Sequence, residues 1–365
     1  MADIAHKLSE ELRKSRKEIA TLKRDVKFFQ GRKDDAETIR KEIYGLAERT
    51  PEPPTWLTKS GKAGFRGCPM LMCSDWHYGE VVRRQEVGGV NLFNSTVAAD
   101  RIKRLTHTVI SLAYEHMGRA ETVYPGIVVM LGGDMLSGDI HDELKDTNDR
   151  TPHQAVNDLT SLIAAMLGTF ADKFGKVFVP CVVGNHGRGT MKPRMKSRIF
   201  TSFEWNIYVN LERHFLNDPR IQFSIPEETD VFFRVYNHRF LLTHGDSLGV
   251  RGGDGIIGSV GPIMRGAIKV GRSEAQIGRD FDTIIMGHWH QYLTLPGIIV
   301  NNSLKGYDEF ARLALRAPYS RPSQALWFVH PEHGITAHWQ VYLDEAKHLK
   351  GKTNWISLPN EKVKK

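Results

Sequence analysis

Five stretches of this chain end an apolar run on Asp, Asn or His, the residue types whose oxygen and nitrogen atoms bind metal ions. Pro69-Met70-Leu71-Met72-Cys73 runs into Ser74-Asp75-Trp76-His77-Tyr78-Gly79, and Ile127-Val128-Val129-Met130-Leu131 into Gly132-Gly133-Asp134. Val177 to Val183 leads to Gly184-Asn185-His186-Gly187-Arg188, Phe240 to Thr243 to His244-Gly245-Asp246, and Thr283 to Met286 to Gly287-His288-Trp289-His290. A carboxylate and an imidazole two residues apart, as in Asp75 and His77, can reach one ion together. One such pair alone reads as a solvated loop. Five endings in order could converge on a centre of three Asp/Asn oxygens and four or five imidazoles, enough for two ions.

Such a centre needs strands to carry it. An apolar run bounded by turn residues reads as a strand buried on both faces, with ligands at its C-terminal edge. Thr96 to Met117 and Pro152 to Phe174 have helical spacing between these runs, the strand–helix alternation of a parallel α/β core. Asp139 to Arg150 reads as a polar, acidic loop over the site, and Ile199 to Phe215 as another helix. Val231 to Thr243 predicts a hairpin turning at Asn237-His238. Residues 248–272 are glycine-rich and read as weakly structured, and Leu293 to Leu343 predicts antiparallel strands.

The series Asp-x-His, Gly-Asp, Gly-Asn-His, a lone His and Gly-His-x-His, over about residues 67–300, resembles the calcineurin-like metallophosphoesterases. The resemblance implies a four-layer α/β/β/α sandwich with two metals on the shared edge, and the alternating apolar residues of 293–343 suggest strands that finish its second sheet. It implies that Asp75, His77 and His290 bind one ion, that Asn185, His244 and His288 bind the other, and that Asp134 bridges them. Manganese comes first among the ions such mixed ligands suit, with iron, zinc and cobalt open. A metal-bridging hydroxide would attack the phosphoryl group in line. His186, off the metals, would protonate the leaving oxygen or stabilise charge, and Arg188 would meet a phosphate oxygen. Two departures stand out. Ser137 and Gly187 occupy positions where many family members carry acids, so a carboxylate that orients His186 must come from elsewhere, Asp139 or Asp142, or be absent.

Composition is that of a globular protein, 41% hydrophobic and 25% charged, and no apolar run approaches the ~20 residues of a membrane span. No signal peptide is visible, and three cysteines (Cys68, Cys73, Cys181) read as reduced thiols, so a cytoplasmic location is expected, that of the host if the gene is phage-borne. Residues 1–33 repeat apolar a and d positions (Ala5, Leu8, Leu12, Ile19, Leu22, Val26, Phe29), with Ser15 the exception. They read as a coiled coil that makes a homodimer or higher oligomer, or as an amphipathic helix packed on its own domain. Residues 34–64 follow as a short helix and Pro-rich linker, 65–345 as the metallophosphoesterase domain and 346–365 as a basic tail. Of the net charge of +8, residues 1–33 and 346–365 carry +5 each, which leaves −2 for the middle.

Local charge bears on substrate. Arg188, Lys192, Arg194, Lys196 and Arg198 follow the Asn-His motif with no acid between Gly187 and Phe203. They read either as a solvated basic loop or as contacts for neighbouring phosphates. Ser-Asp-x-His-x-Gly at Ser74 to Gly79 resembles the DNA-repair nuclease branch of the family, and the chain also resembles phage-encoded members in general style. The expectation is therefore a phosphodiesterase acting on DNA, exonuclease or endonuclease. The alternatives are a phosphoesterase acting on a nucleotide, cyclic nucleotide or phosphoprotein, and a non-catalytic scaffold, which the complete ligand set argues against. Trp76 and Trp289 are open between base stacking and packing. His141 and His153 are open as substrate contacts, while His107, His116, His214 and His330 read as packed or surface residues.

Overall fold

The structure, a computed structural model, describes residues 67–116, 123–248 and 259–344, with single positions at Lys23, Pro54 and Leu57. The chain divides into two units, Met1–Glu52 and Pro53–Lys365, and every element named below belongs to the second. The helix expected over 1–33 and the tail over 346–365 lie almost wholly outside the described residues.

The apolar runs do form strands. β1 (Cys68–Cys73), β2 (Ile127–Leu131), β3 (Val177–Pro180) and β4 (Ile221–Ser224) pair in parallel in that order. Between them run α1 (Ser95–Ser111, continued by a π-helical turn at Leu112–His116), α2 (Asp142–Thr147), α3 (Pro152–Phe174) and α4 (Phe203–His214). α3 starts on a reciprocal cap between Thr151 and Gln154 with Pro152 in the first turn, and stops at Gly175. The second sheet holds β5 (Val231–Val235), β6 (His238–Leu242), β7 (Thr283–Met286), β8 (Leu293–Leu295) and β9 (Ile298–Val300), in the order β5-β6-β7-β9-β8. α5 (Val260–Ala275) joins β6 to β7, and β10 (Ser323–His330) and β11 (Gly334–Tyr342) close the described chain.

Side chains alternate across each strand. In the first sheet Leu71, Cys73, Val129, Leu131 and Val179 pack with Ile102, Leu105, Ile163, Phe170 and Ile207 of the helices. Their neighbours Met70, Met72, Val128, Met130 and Phe178 pack with Val231, Phe233, Phe240, Leu242 and Ile285 of the second sheet. The far side of that sheet, through Leu241, Ile284, Met286 and Val300, meets Ile263 and Ala267 of α5. Leu57 is buried in the cluster between the sheets, and its carbonyl accepts from the Tyr236 amide at 2.6 Å. Cys68, Cys73 and Cys181 are buried and unpaired.

Three expectations need correcting. Residues 260–275 of the glycine-rich region form α5, because Ile263 and Ala267, four residues apart, fit one apolar face against the second sheet. The acidic segment 139–150 contains the helix α2. Finally, β8 and β9 complete the second sheet, but β10 and β11 join the first, where β10 lies antiparallel to β1. Seven of the eight residues of β10 are buried, the signature of a strand covered on both faces. No helix among the described residues is long and apolar enough to cross a membrane.

Candidate metal centre

The polar residues that follow β1, β2, β3, β6 and β7 meet at the C-terminal edge of both sheets. Beyond the strands the first two loops keep pairing: the amides of Asp75, His77 and Tyr78 donate to the carbonyls of Gly133, Asp134 and Met135 at 3.0 Å each. Of the eight non-glycine residues with positive φ among the described residues, five are Asp75, His77, Asp134, His288 and His290. Each such conformation costs about 1–3 kcal/mol, less for Asp, and clusters where the backbone is bent to serve a site.

Two groups of donors result. In the first, His77 Nε2 lies 3.1 Å from His290 Nε2, and His290 Nε2 lies 3.4 Å from Asp75 Oδ1. In the second, His244 Nε2 lies 3.1 Å from Asp134 Oδ2 and 3.2 Å from Asn185 Oδ1, with His288 completing the set. The groups are tied together. Asp75 Oδ1 accepts from the His288 amide at 2.8 Å, and Asp134 Oδ1 accepts from the His186 amide at 2.7 Å. A Cβ on Gly184 would collide with the Asp134 carboxylate, so only glycine lets that loop approach.

Second partners fix the imidazoles. His244 Nδ1 donates to the Gly132 carbonyl at 2.9 Å and His186 Nδ1 to the Ser137 carbonyl at 2.9 Å, so each presents Nε2. The orienting acceptor for His186 is therefore a main-chain oxygen rather than Asp139 or Asp142, and of the alternatives left by the sequence the one met is the absence of an orienting carboxylate. The His186 ring stands edge-on to His77, centroids 4.6 Å apart, and 5.8 Å from His141.

Electrostatics follows from burial among these groups. Burial opposes charge on Asp134, but His244 and His186 hold its carboxyl well below the usual range. Burial likewise opposes charge on His244, and Asp134 outweighs it, raising the imidazole to about 10. Burial, then the nearby Lys305 and imidazoles, push His77 down, and burial with His244 lowers His288 to about 4.

The basic residues separate. Lys192, Arg194 and Lys196 are exposed, as are Met191, Met195 and Phe200 around them. Arg198 instead pairs with Asp246 at 2.8 Å. Arg188 folds back onto its own loop, donating to the carbonyls of Asn185 (2.7 Å), Thr190 (3.0 Å) and Met191 (3.2 Å). Trp76 is fully buried with its indole N–H on Gln324, so it packs rather than stacks. His153 stands edge-on to Phe203.

Several supporting residues escape a motif search. Glu204 of α4 is buried and accepts from the amides of Met135 and Gly184, both at 2.6 Å, which clamps two ligand loops together. Burial and then Asp134 raise it to about 8. Asn301 and Ser303 brace the first loop, Asn301 through the Ser74 hydroxyl and Ser303 through the Asp75 carbonyl. Lys305 is buried between Glu80 (2.8 Å) and Asp308 (2.5 Å). The run Ile298-Ile299-Val300 into Asn301-Asn302-Ser303 repeats the strand-end pattern, but with no carboxylate or imidazole to mark it.

The donor set, two carboxylates, an amide oxygen and four imidazoles in two close groups, fits a pair of borderline divalent ions. A scan of protein families and a search of curated proteins returned no match. A search of solved structures matched, among others, a dimetal phosphatase from Danio rerio, with a TM-score of 0.35 and 10% identity over 76% of this chain and 99% of that one. That likeness is slight, and the chemical reading stands on the residues themselves.

Proposed function

We propose that this chain is a metal-dependent phosphoesterase of the kind its motifs resemble, the calcineurin-like metallophosphoesterases. The observation that carries the reading is the meeting of Asp75, His77 and His290 with Asp134, His244, His288 and Asn185 on one edge. The succession of helices, sheet, sheet and helix supports the same class, the four-layer sandwich. Two divalent ions in such a place activate water and neutralise charge on phosphoryl oxygens. The chain's own part is to hold the two carboxylates through the amides of His186 and His288, and to keep His186 Nε2 free. That atom can take a proton from water in the site and pass it on to the leaving oxygen.

Within that class the preferred substrate is DNA, which makes the chain a phosphodiesterase or nuclease. Lys192, Arg194 and Lys196 stand exposed one short loop beyond Asn185, among exposed Met191, Met195 and Phe200, and a strand offers both phosphates and apolar base faces to such a surface. One observation favours the alternative. Arg188 and Arg198 are committed to the protein, so the basic surface is narrower than the sequence promises, as a nucleotide, cyclic nucleotide or phosphoprotein would allow. Association through residues 1–33 belongs to the same proposal, and deleting them should lower the native mass.

The deciding experiment replaces Lys192, Arg194 and Lys196 together by Gln. Each lost phosphate contact should flatten the salt dependence of single-strand binding by about 0.7 in log–log slope. Cleavage of bis-para-nitrophenyl phosphate should stay near the wild-type rate. Unchanged DNA binding would put the small phosphoester ahead.

A further inference from the structure

An imidazole that turns Nε2 into the centre needs a partner at Nδ1. His186 and His244 have main-chain carbonyls. His77 has none: its Nδ1 is buried with no hydrogen-bond partner, and so is Glu80 Oε2. These two orphan atoms face each other at 3.6 Å, with both side chains almost fully buried. The other carboxylate oxygen of Glu80 accepts from the Lys305 ammonium at 2.8 Å, and the same ammonium is held by Asp308. Lys305 is anchored by its backbone as well, since its carbonyl accepts from Arg101 (2.7 Å) and from Asn91 (3.0 Å).

We propose that Glu80 is the outer member of a carboxylate–histidine–metal arm, whose Oε2 accepts a hydrogen bond from His77 Nδ1–H and leaves Nε2 to the ion. The inference rests on the two-ion reading above. A small movement of the imidazole toward Glu80, well within side-chain freedom, brings 3.6 Å to hydrogen-bond length. Glu80 is a positioning residue in this arrangement, because it acts on the ion through His77. Lys305 and Asp308 fix the carboxylate from behind. The trio of one ammonium and two carboxylates carries a net negative charge, so a cation beside His77 meets no uncompensated Lys305.

Outer-shell carboxylates of this kind typically change metal affinity by 10–100-fold. The test measures Mn and Zn binding to metal-stripped, full-length chain by calorimetry, for wild type and for Glu80→Gln, which keeps an oxygen for Lys305 and leaves the ammonium paired with Asp308. The expected result is two ions per chain in both, with one of the two bound ~10–100-fold more weakly in the variant and an unchanged melting temperature without metal. A second readout is the imidazole nitrogen spectrum of the Zn-loaded protein. His77 should carry its proton at Nδ1 in the wild type, and that signal should broaden or vanish in the variant. Unchanged affinity for both ions, or a His77 proton at Nε2, overturns the arm while the two-ion reading stands. Equal weakening of both ions with a lowered melting temperature also overturns it, in favour of a purely structural role for Glu80. A wild-type chain that binds neither ion overturns both readings.

Discussion

A Cβ on Gly187 would stand 2.6 Å from Cγ of Glu204, so the side chain of one position takes the space of the other. In many members of the family that the motifs resemble, an acid follows the Asn-His pair. Here glycine does, and a carboxylate from α4 reaches the gap and takes the amides of Met135 and Gly184. Glu204→Ala should leave two buried N–H groups without acceptors, at about 1–3 kcal/mol each. Gly187→Ala should cost less, ~1–3 kcal/mol in all, by crowding the same carboxylate. Denaturant unfolding checks both, and a Glu204→Ala chain as stable as wild type would sink the clamp.

His186→Ala should slow turnover by ~10²–10⁴-fold, the usual worth of a positioned acid or base. The two ions should remain, because its Nδ1 is turned to Ser137 and its ring stands outside both donor groups. Elemental analysis beside the rate measurement decides this. Loss of an ion would make His186 a ligand.

Asp134→Ala should weaken both ions, since Asp134 belongs with His244 and His288 and also bonds the amide of His186 beside the first group. His290→Ala should weaken one. Titration of each variant with Mn, read as stoichiometry, distinguishes a shared ligand from a private one.

Ion binding should expel a proton. Without ions, His244 is held charged to about pH 10 by Asp134 against the effect of burial, whereas His288, lowered to about 4, is already neutral at pH 8. A ligating imidazole must be neutral, so binding at pH 8 should release about one proton from His244, and affinity should climb as pH rises toward 10. Above that the metal-free imidazole is neutral too, and the release fades. Calorimetry in buffers of different ionisation heat counts the proton. A count of zero at pH 8 would show that His244 is not charged by Asp134 in the empty site.

Much of this was legible in the sequence because strands announce themselves locally. An unbroken run such as Met70-Leu71-Met72-Cys73 can only be covered on both faces, and the residue after it is then at an edge. The helix over Pro152 to Phe174 was equally plain, with its cap, apolar stripe and terminal Gly175 all in one window. What was not legible depended on who sits beside whom. Nothing local says that β10 slides in against β1, since Ser323 to His330 would suit either sheet. Glu204 and Lys305 look like surface charges until the fold buries them. The setting of Arg188 was hidden for a similar reason: its Nε, Nη1 and Nη2 each donate to a main-chain oxygen of its own loop.

The left-handed backbone at Asp75, His77, Asp134, His288 and His290 bears on what variation this chain can accept. A substitution there is judged twice, once by chemistry and once by shape. Asn tolerates that backbone nearly as well as Asp, so Asp75→Asn or Asp134→Asn changes the charge and leaves the bend alone. Val, Ile or Thr at the same places would be refused by the backbone whatever their side chains offered an ion. A saturation library at these five positions should therefore recover folded chains chiefly with Gly, Asn, Asp and His. That small alphabet would differ sharply from the one tolerated at Asn185 and His244, whose backbones are ordinary.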